Sequence, residues 1–247
     1  MKNLLIYINP LKSFDSMREG ESIVKVQIDN SRELGWEDKD ILLVTNFPYE
    51  YAGIKAFEVG DEIFCEKHIQ ASKINTIVKL FELGMIEDDL YWFHDFDAFQ
   101  LQPIVESEIG MNGVDIGLTD YGWSKRWNTG SFFFRKNCKD IFNWIQKYVY
   151  KFDTNEERAI AKLIQEKYRD IITRYKTLDI SYNFGMRNVE YNYAMAEKPL
   201  KVVHFHPTYK LVRTWDVFVL GKNGLNMPLV DERMIEVFKR HKVGRHE

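Results

Sequence analysis

The chain has 247 residues, 45% apolar, 15% aromatic and 29% charged, enough to bury a full core without disulfides or a structural metal, and too rich in aromatics for a disordered chain. Its 34 lysines and arginines against 37 aspartates and glutamates leave a net charge of −3, which supplies no global field to hold duplex DNA but permits a local basic groove. Two cysteines, Cys65 and Cys138, make neither a disulfide framework nor a four-ligand zinc site.

Residues 4–8 form a continuous apolar run closed by Asn9 and Pro10, the pattern of a strand buried on both faces. This opening is too short for a signal peptide and has no small-residue cleavage pattern. No run of about 18 apolar residues follows, so no membrane span is expected and a soluble, cytoplasmic protein is the default. Residues 13–34 carry apolar positions at helical spacing and stop at Gly35. A second buried strand is expected at 41–44, closed by Asn46, Phe47 and Pro48, and a weaker one at 54–59. Residues 68–83 predict an amphipathic helix stopped by Gly84, and 90–93 a fourth strand. Strands follow at 114–118 and 131–134, helices at 141–150 and 156–168, and a strand at 200–205 that ends in histidines. Residues 221–230 hold two glycines and a proline and read as a linker; 231–241 predict a short helix capped by Asp231. The β-α-β-β-α-β opening argues an α/β fold with a largely parallel sheet, in which ligands sit beyond the carboxyl ends of the strands.

The segment Leu90-Tyr-Trp-Phe-His-Asp-Phe-Asp-Ala-Phe99 places two carboxylates directly after a buried strand. In extended chain, residues i and i+2 share a face, so Asp95 and Asp97 project together and Phe96 points away. Paired carboxylates repel; a divalent cation removes that penalty, and hard oxygen ligands suit Mg²⁺ or Mn²⁺. The plain alternative is a pair of carboxylates capping a turn. His204 and His206 stand two apart at the end of a later strand, and an imidazole joining two carboxylates tilts the ion toward Mn²⁺. Lys210 follows, a residue type suited to clamp a phosphate oxygen. In Arg126-Trp-Asn-Thr-Gly-Ser-Phe-Phe-Phe-Arg135 a polar turn opens a hydrophobic strand. There Gly130 admits close approach of a ligand, and Asn128 offers a donor and an acceptor to hydroxyls.

Taken together these residues resemble the GT-A fold glycosyltransferases that use nucleotide-sugar donors, in a family 8-like order. The ordered set is Asp95-Phe-Asp97, Asn128-Thr-Gly130 before Ser131-Phe-Phe-Phe134, Glu156-Glu157, and His204-Phe-His-Pro-Thr-Tyr-Lys210, with Ala71-Ser-Lys-Ile74 one helix before the carboxylates. Pro207 stands where the family has glycine, and Asn155-Glu-Glu replaces a more usual Asp-Gln or Asp-Glu. The resemblance implies a GT-A (Rossmann-like) mixed, mostly parallel central sheet flanked by helices. It implies one catalytic domain over residues 1–220, with a linker and short helix over 221–247. It also implies a metal held by Asp97 and His204, with Asp95 reaching the metal or the donor ribose. Asn9 and Pro10 would border the nucleotide base, Lys73 and Lys210 the ribose or diphosphate, Asn128 and Gly130 the sugar. Trp123, Trp127 and Trp215 would offer platforms to the acceptor. The implied reaction is Mn²⁺- or Mg²⁺-dependent transfer of a sugar from a nucleotide-diphosphate donor, of the UDP-sugar type, to a saccharide or other hydroxyl acceptor. If the reaction inverts configuration, a base for that hydroxyl comes from Asp120, Glu156, Glu157 or Asp179, with the glutamates favoured by position; if it retains configuration, no dedicated base is needed and the donor's own phosphate can take the proton.

Three other readings stand beside it. A sugar-phosphate nucleotidyltransferase is disfavoured because residues 9–15 lack glycine. A non-catalytic carbohydrate-binding relative would have no need of Asp95, Asp97, His204 and Lys210 together. Glycosylation of a nucleic-acid base would use a basic patch of Lys125, Arg126, Arg135 and Lys136, a minority reading at this net charge.

Overall fold

In the computed structural model, which describes residues 1–14, 20–205 and 211–244, the opening apolar run forms β1 (Lys2–Tyr7). It is followed by α1 (Gly20–Glu33), β2 (Ile41–Thr45), β3 (Glu50–Tyr51), β4 (Ile54–Lys55), β5 (Phe57–Glu58), α2 (Ser72–Glu82), β6 (Tyr91–His94) and β7 (Ala98–Gln100). The second half adds α3 (Glu106–Ile109), β8 (Ile116–Asp120), β9 (Trp127–Phe134), α4 (Lys139–Phe152), α5 (Glu156–Gln165), α6 (Ile171–Arg174), β10 (Tyr175–Thr177), β11 (Phe184–Gly185), α7 (Val189–Met195), β12 (Val202–His204), α8 (Leu211–Phe218) and α9 (Glu232–Arg240).

The main sheet runs β10-β8-β9-β6-β1-β2-β5. Every neighbouring pair is parallel except those of β9, which runs against both β6 and β8. This is the mixed, mostly parallel sheet that the β-α-β order implies. The period of two sorts its side chains: Leu4, Ile6, Tyr91, Phe93, Phe132 and Phe134 pack under α2, α4 and α5, whereas Leu5 and Tyr7 face α1, α8 and α9. Burial of each such side chain is worth roughly 1.5–3 kcal/mol.

A second sheet, β11-β12-β7, stands beside the first. The chain leaves β6, turns through residues 95–97 and enters β7, so the paired carboxylates sit at the crossing between sheets. β12 pairs antiparallel to β7 with His204 opposite Ala98.

Several expectations need correction. The weak strand at 54–59 is two pieces: Ile54–Lys55 closes a hairpin with β3, and Phe57–Glu58 joins the main-sheet edge beside β2. Ala52 and Gly53, both at positive φ, make the tight turn between β3 and β4, and Ala56 separates the two pieces. Residues 127–130 are not a turn before a strand but the first half of β9. Asn128 pairs with Thr119 and Trp127 with Asp120, past an irregularity at Leu118/Thr119. The helix expected to reach residue 168 stops at Gln165, where Lys167, Arg169 and Asp170 take positive φ. α9 is capped as expected, with the Met234 N–H donating to Asp231. It buries Met234, Val237 and Phe238 in the same cluster as α1. Among the described residues no helix is long and apolar enough to cross a membrane.

Candidate active site

The buried strand β6 ends at His94, and the next amide, Asp95 N–H, donates to Gly130 O of β9 at 2.8 Å. Phe96 turns into an aromatic cluster against Tyr7, ring centroids 5.7 Å apart, which leaves Asp95 and Asp97 on the other side. Buried Gln27 of α1 pins the backbone around them: its Nε2 donates to Phe96 O at 2.8 Å and Ala98 O at 3.0 Å. Asn30 likewise donates to Gln100 O. From the far side Phe205 N–H donates to Asp97 O at 2.7 Å, which brings the end of β12 against the turn.

One ligand atom each from Asp95, Asp97 and His204 lies within 4.8 Å of the other two, and His204 Nε2 is 3.3 Å from Asp97 Oδ1. Two carboxylate oxygens and an imidazole nitrogen are a donor set that can hold a divalent ion. The backbone also fits: a Cβ at Gly130 would fall 2.1 Å from His204 Cε1 and 2.2 Å from Nδ1, so the imidazole lies where only glycine leaves room. Burial raises the Asp95 carboxyl above its ordinary range, with the Asp97 charge adding to the effect despite Lys73 alongside. For His204, burial disfavours the charged ring, yet the neighbouring Asp97 outweighs it and lifts the ring above ordinary histidine.

Lys73 enters from the first turn of α2, 7% exposed. Its ammonium lies 3.1 Å from both Asp95 oxygens, donates to Thr129 O at 3.0 Å and sits 3.5 Å from Glu156 Oε1. Burial alone would lower it, but Asp95 and Glu156 prevail and hold it above the usual lysine range. Glu156 and Glu157 are delivered by the start of α5, which Asn155 caps by accepting from Arg158 N–H. Glu156 Oε1 accepts from Thr129 Oγ1 at 3.0 Å, whereas its Oε2 is buried with no hydrogen-bond partner among the described residues. Asn128 is alike: its Oδ1 accepts from Gly130 N–H and its buried Nδ2 has no acceptor among the described residues. Buried polar atoms without partners are rare; here both belong to side chains lining the same cleft. Glu157 Oε1 accepts from Tyr121 Oη at 2.9 Å. Burial, with Glu156 nearby, raises the Glu157 carboxyl.

These groups line one cleft of about 460 Å³, which His68, Gln70, Tyr121 and Asn155 complete. The structure thus gathers Lys73, Asp95, Asp97, Asn128, Gly130, Glu156, Glu157 and His204. It does not bring Asn9, Pro10 or Asp179 to it. Asn9 is spent on its own turn, accepting from Leu11 N–H and donating to Ser13 O, and Pro10 is exposed. Asp179 Oδ1 accepts from the Ser181 and Glu197 amides, a cap rather than a base. Asp120 likewise closes a loop onto Gly122 N–H and Lys125. Trp215 is a core residue packed on Phe238, Trp127 packs on Tyr175, and Trp123 is 44% exposed. Lys210 and His206 lie outside the described residues. Lys125, Arg135 and Lys136 of the basic patch each face a carboxylate: Asp120, Glu106 and Asp88. Sequence reasoning did not single out His68 and Gln70, at the short 3-10 turn before α2, or Tyr121, just after β8, because no motif marks them.

No protein-family model matches the chain, and no curated protein matches it in sequence. Solved structures do match it in shape. A glycosyltransferase involved in glycosylation of the major capsid of PBCV-1 superposes with TM-score 0.56 at 13% identity, over 84% of this chain and 95% of that one. The galactosyltransferase LgtC, in complex with donor and acceptor sugar analogues, gives 0.57 at 12%, over 97% and 96%. The glycosyltransferase GlyE of Streptococcus pneumoniae TIGR4 gives 0.55 at 10%, over 98% of this chain and 64% of that one. The chain has the GT-A glycosyltransferase fold.

Proposed function

We propose that this protein is a metal-dependent glycosyltransferase that moves a sugar from a nucleotide-diphosphate donor, of the UDP-sugar class, to a hydroxyl acceptor such as a saccharide. The observation that carries the reading is the convergence of Asp95, Asp97 and His204 in a cleft whose wall also presents buried hydrogen-bonding atoms with no partner among the described residues. A polar ligand in the cleft would supply the partners that this wall lacks.

Asp97 and His204 Nε2, with Asp95, would hold the ion, and the imidazole favours Mn²⁺ over Mg²⁺. A cation bound there supplies Lewis-acid stabilisation of the negative charge on a departing diphosphate. The remaining work falls to side chains of the chain itself. Lys73, anchored on Thr129 O and paired with Asp95, would add fixed positive charge beside the ion site. Asn128 Nδ2 and Glu156 Oε2 form a donor–acceptor pair suited to hydroxyls of the sugar and hold it in one orientation. Glu157 is the proton acceptor for the incoming hydroxyl: Tyr121 fixes its carboxylate, and its raised titration brings it nearer to working pH.

The deciding experiment is protection against thermal unfolding by a panel of nucleotide-sugars with and without Mn²⁺. A donor at a hundred times its Kd adds about 2.7 kcal/mol, and the shift is expected with UDP-sugars only when Mn²⁺ is present and to vanish with EDTA. A panel in which no nucleotide-sugar raises the midpoint in Mn²⁺ removes the proposal.

Glu157 gives a second expectation. Its carboxyl titrates higher in the folded chain than in the unfolded chain, so it favours folding fully only below the ordinary glutamate range. That contribution is lost as pH climbs through the raised value. Glu157→Gln keeps an oxygen for Tyr121 and removes the buried charge. It is therefore expected to melt higher than the wild type at pH 7, to differ less at pH 4, and to transfer sugar poorly. Melting curves at the two pH values check the sign; a difference unchanged by pH refutes it.

A further inference from the structure

Behind the cleft, beyond the groups already assigned, lies Asn183, 1% exposed, between the residues 180–182 and β11. Its Nδ2 donates to Thr119 Oγ1 at 2.9 Å and to Asn128 O at 3.2 Å. A backbone carbonyl can only accept, so the amide cannot be reversed: its nitrogen faces β8 and β9, and its oxygen faces His204 Nδ1 at 3.1 Å. An amide oxygen in turn requires a proton on that ring nitrogen. With Nδ1 as donor, Nε2 is the nitrogen on the side of Asp97, 3.3 Å away.

We infer that Asn183 is a positioning residue for the cation site: it keeps a proton on His204 Nδ1 and so presents Nε2 as the ligand. The inference rests on the metal-dependent reading above. It adds a residue that touches neither ion nor substrate but ties the metal ligand to the strand that carries Asn128. A hydrogen bond from the distal ring nitrogen fixes the tautomer and the ring plane of a ligating histidine, and its removal weakens metal binding about 10–100-fold. The chain Thr119–Asn183–His204 is buried, so bulk solvent does not supply the ring nitrogen with an acceptor in the wild type.

Two measurements on the full chain test this. Mn²⁺ affinity is read by electron paramagnetic resonance of the free ion in the wild type, Asn183→Ala and Asn183→Asp, with thermal melting to check folding. Asn183→Ala is expected to lose at least tenfold in Mn²⁺ affinity. Asn183→Asp retains an oxygen for Nδ1–H and is expected to stay within about threefold of wild type. Nitrogen-15 spectra of the His204 ring, without metal and with diamagnetic Zn²⁺, are expected to show Nδ1 protonated in both states, and only Nε2 exchanging its proton for the ion. An alanine variant that binds Mn²⁺ like wild type overturns the inference, as does equal weakening of both variants or a Zn²⁺-loaded ring protonated on Nε2. A wild-type chain that binds no Mn²⁺ overturns the metal-dependent reading itself, and is told apart because no variant is needed to see it.

Discussion

Asp97→Asn is expected to lower sugar transfer by about a thousandfold while leaving the protein folded. The substitution is isosteric and, in the proposed site, would remove one of the two charged oxygen ligands and with it electrostatic stabilisation of the leaving diphosphate. The fold loses the pairing of Asp97 with His204 but keeps the tie that anchors the turn. Asp97 is held through its backbone carbonyl by Phe205 N–H, a bond that asparagine keeps, and the change relieves the repulsion that Asp97 exerts on Asp95. Transfer measured with excess Mn²⁺ and a melting curve on the same sample separate the two effects. An asparagine variant that transfers sugar at the wild-type rate would show that residues 95, 97 and 204 are a structural cluster and not a metal site.

Lys73→Met is expected to cost about 3 kcal/mol of stability, the scale for removing one partner of a buried ion pair. For a chain of this size that is a fall of roughly 6–12 °C in melting temperature. Methionine fills the same space, so the loss is not one of packing. It arises because Asp95 and Glu156 lose the cation between them: Glu156 is 3% exposed and already has one oxygen without a partner. The effect should not add. With Asp95→Asn also present, the methionine should cost less than it does alone, because one of the stranded charges has gone. Denaturant titration of the two single variants and the double variant gives the coupling, and a methionine variant as stable as wild type would refute the ion-pair account.

How much of this was legible in the sequence depends on how local the signal was. Asp95 and Asp97 announce themselves because four buried residues lead into them and the period of two puts them on one face. Asn128 and Gly130 read as a turn: a polar Asn-Thr-Gly looks like punctuation, whereas here β8 pairs across it and Gly130 leaves room for the His204 ring. Glu156 and Glu157 were legible as a helix start, yet only the structure divides them into a carboxylate locked beside Lys73 and one bound to Tyr121. Asn9, Asp179 and Trp215 were residue types suited to a site that proved to be a turn, a cap and core, because a side chain's partners lie in segments remote in sequence. For the same reason Asn183 carries no signal at all: its meaning comes from Thr119, Asn128 and His204, which belong to three different strands.

The smaller sheet has a consequence for how the protein comes into being. Its strand β7 finds its antiparallel neighbour only in β12, more than a hundred residues later. A nascent chain emerging from the ribosome therefore carries the acidic turn long before it owns the histidine. Closing so long a loop is slow relative to local pairing, which places completion of the ligand set near the end of folding. Affinity for manganese should accordingly serve as a clock for maturation, with truncated or half-folded chains passing the ion by.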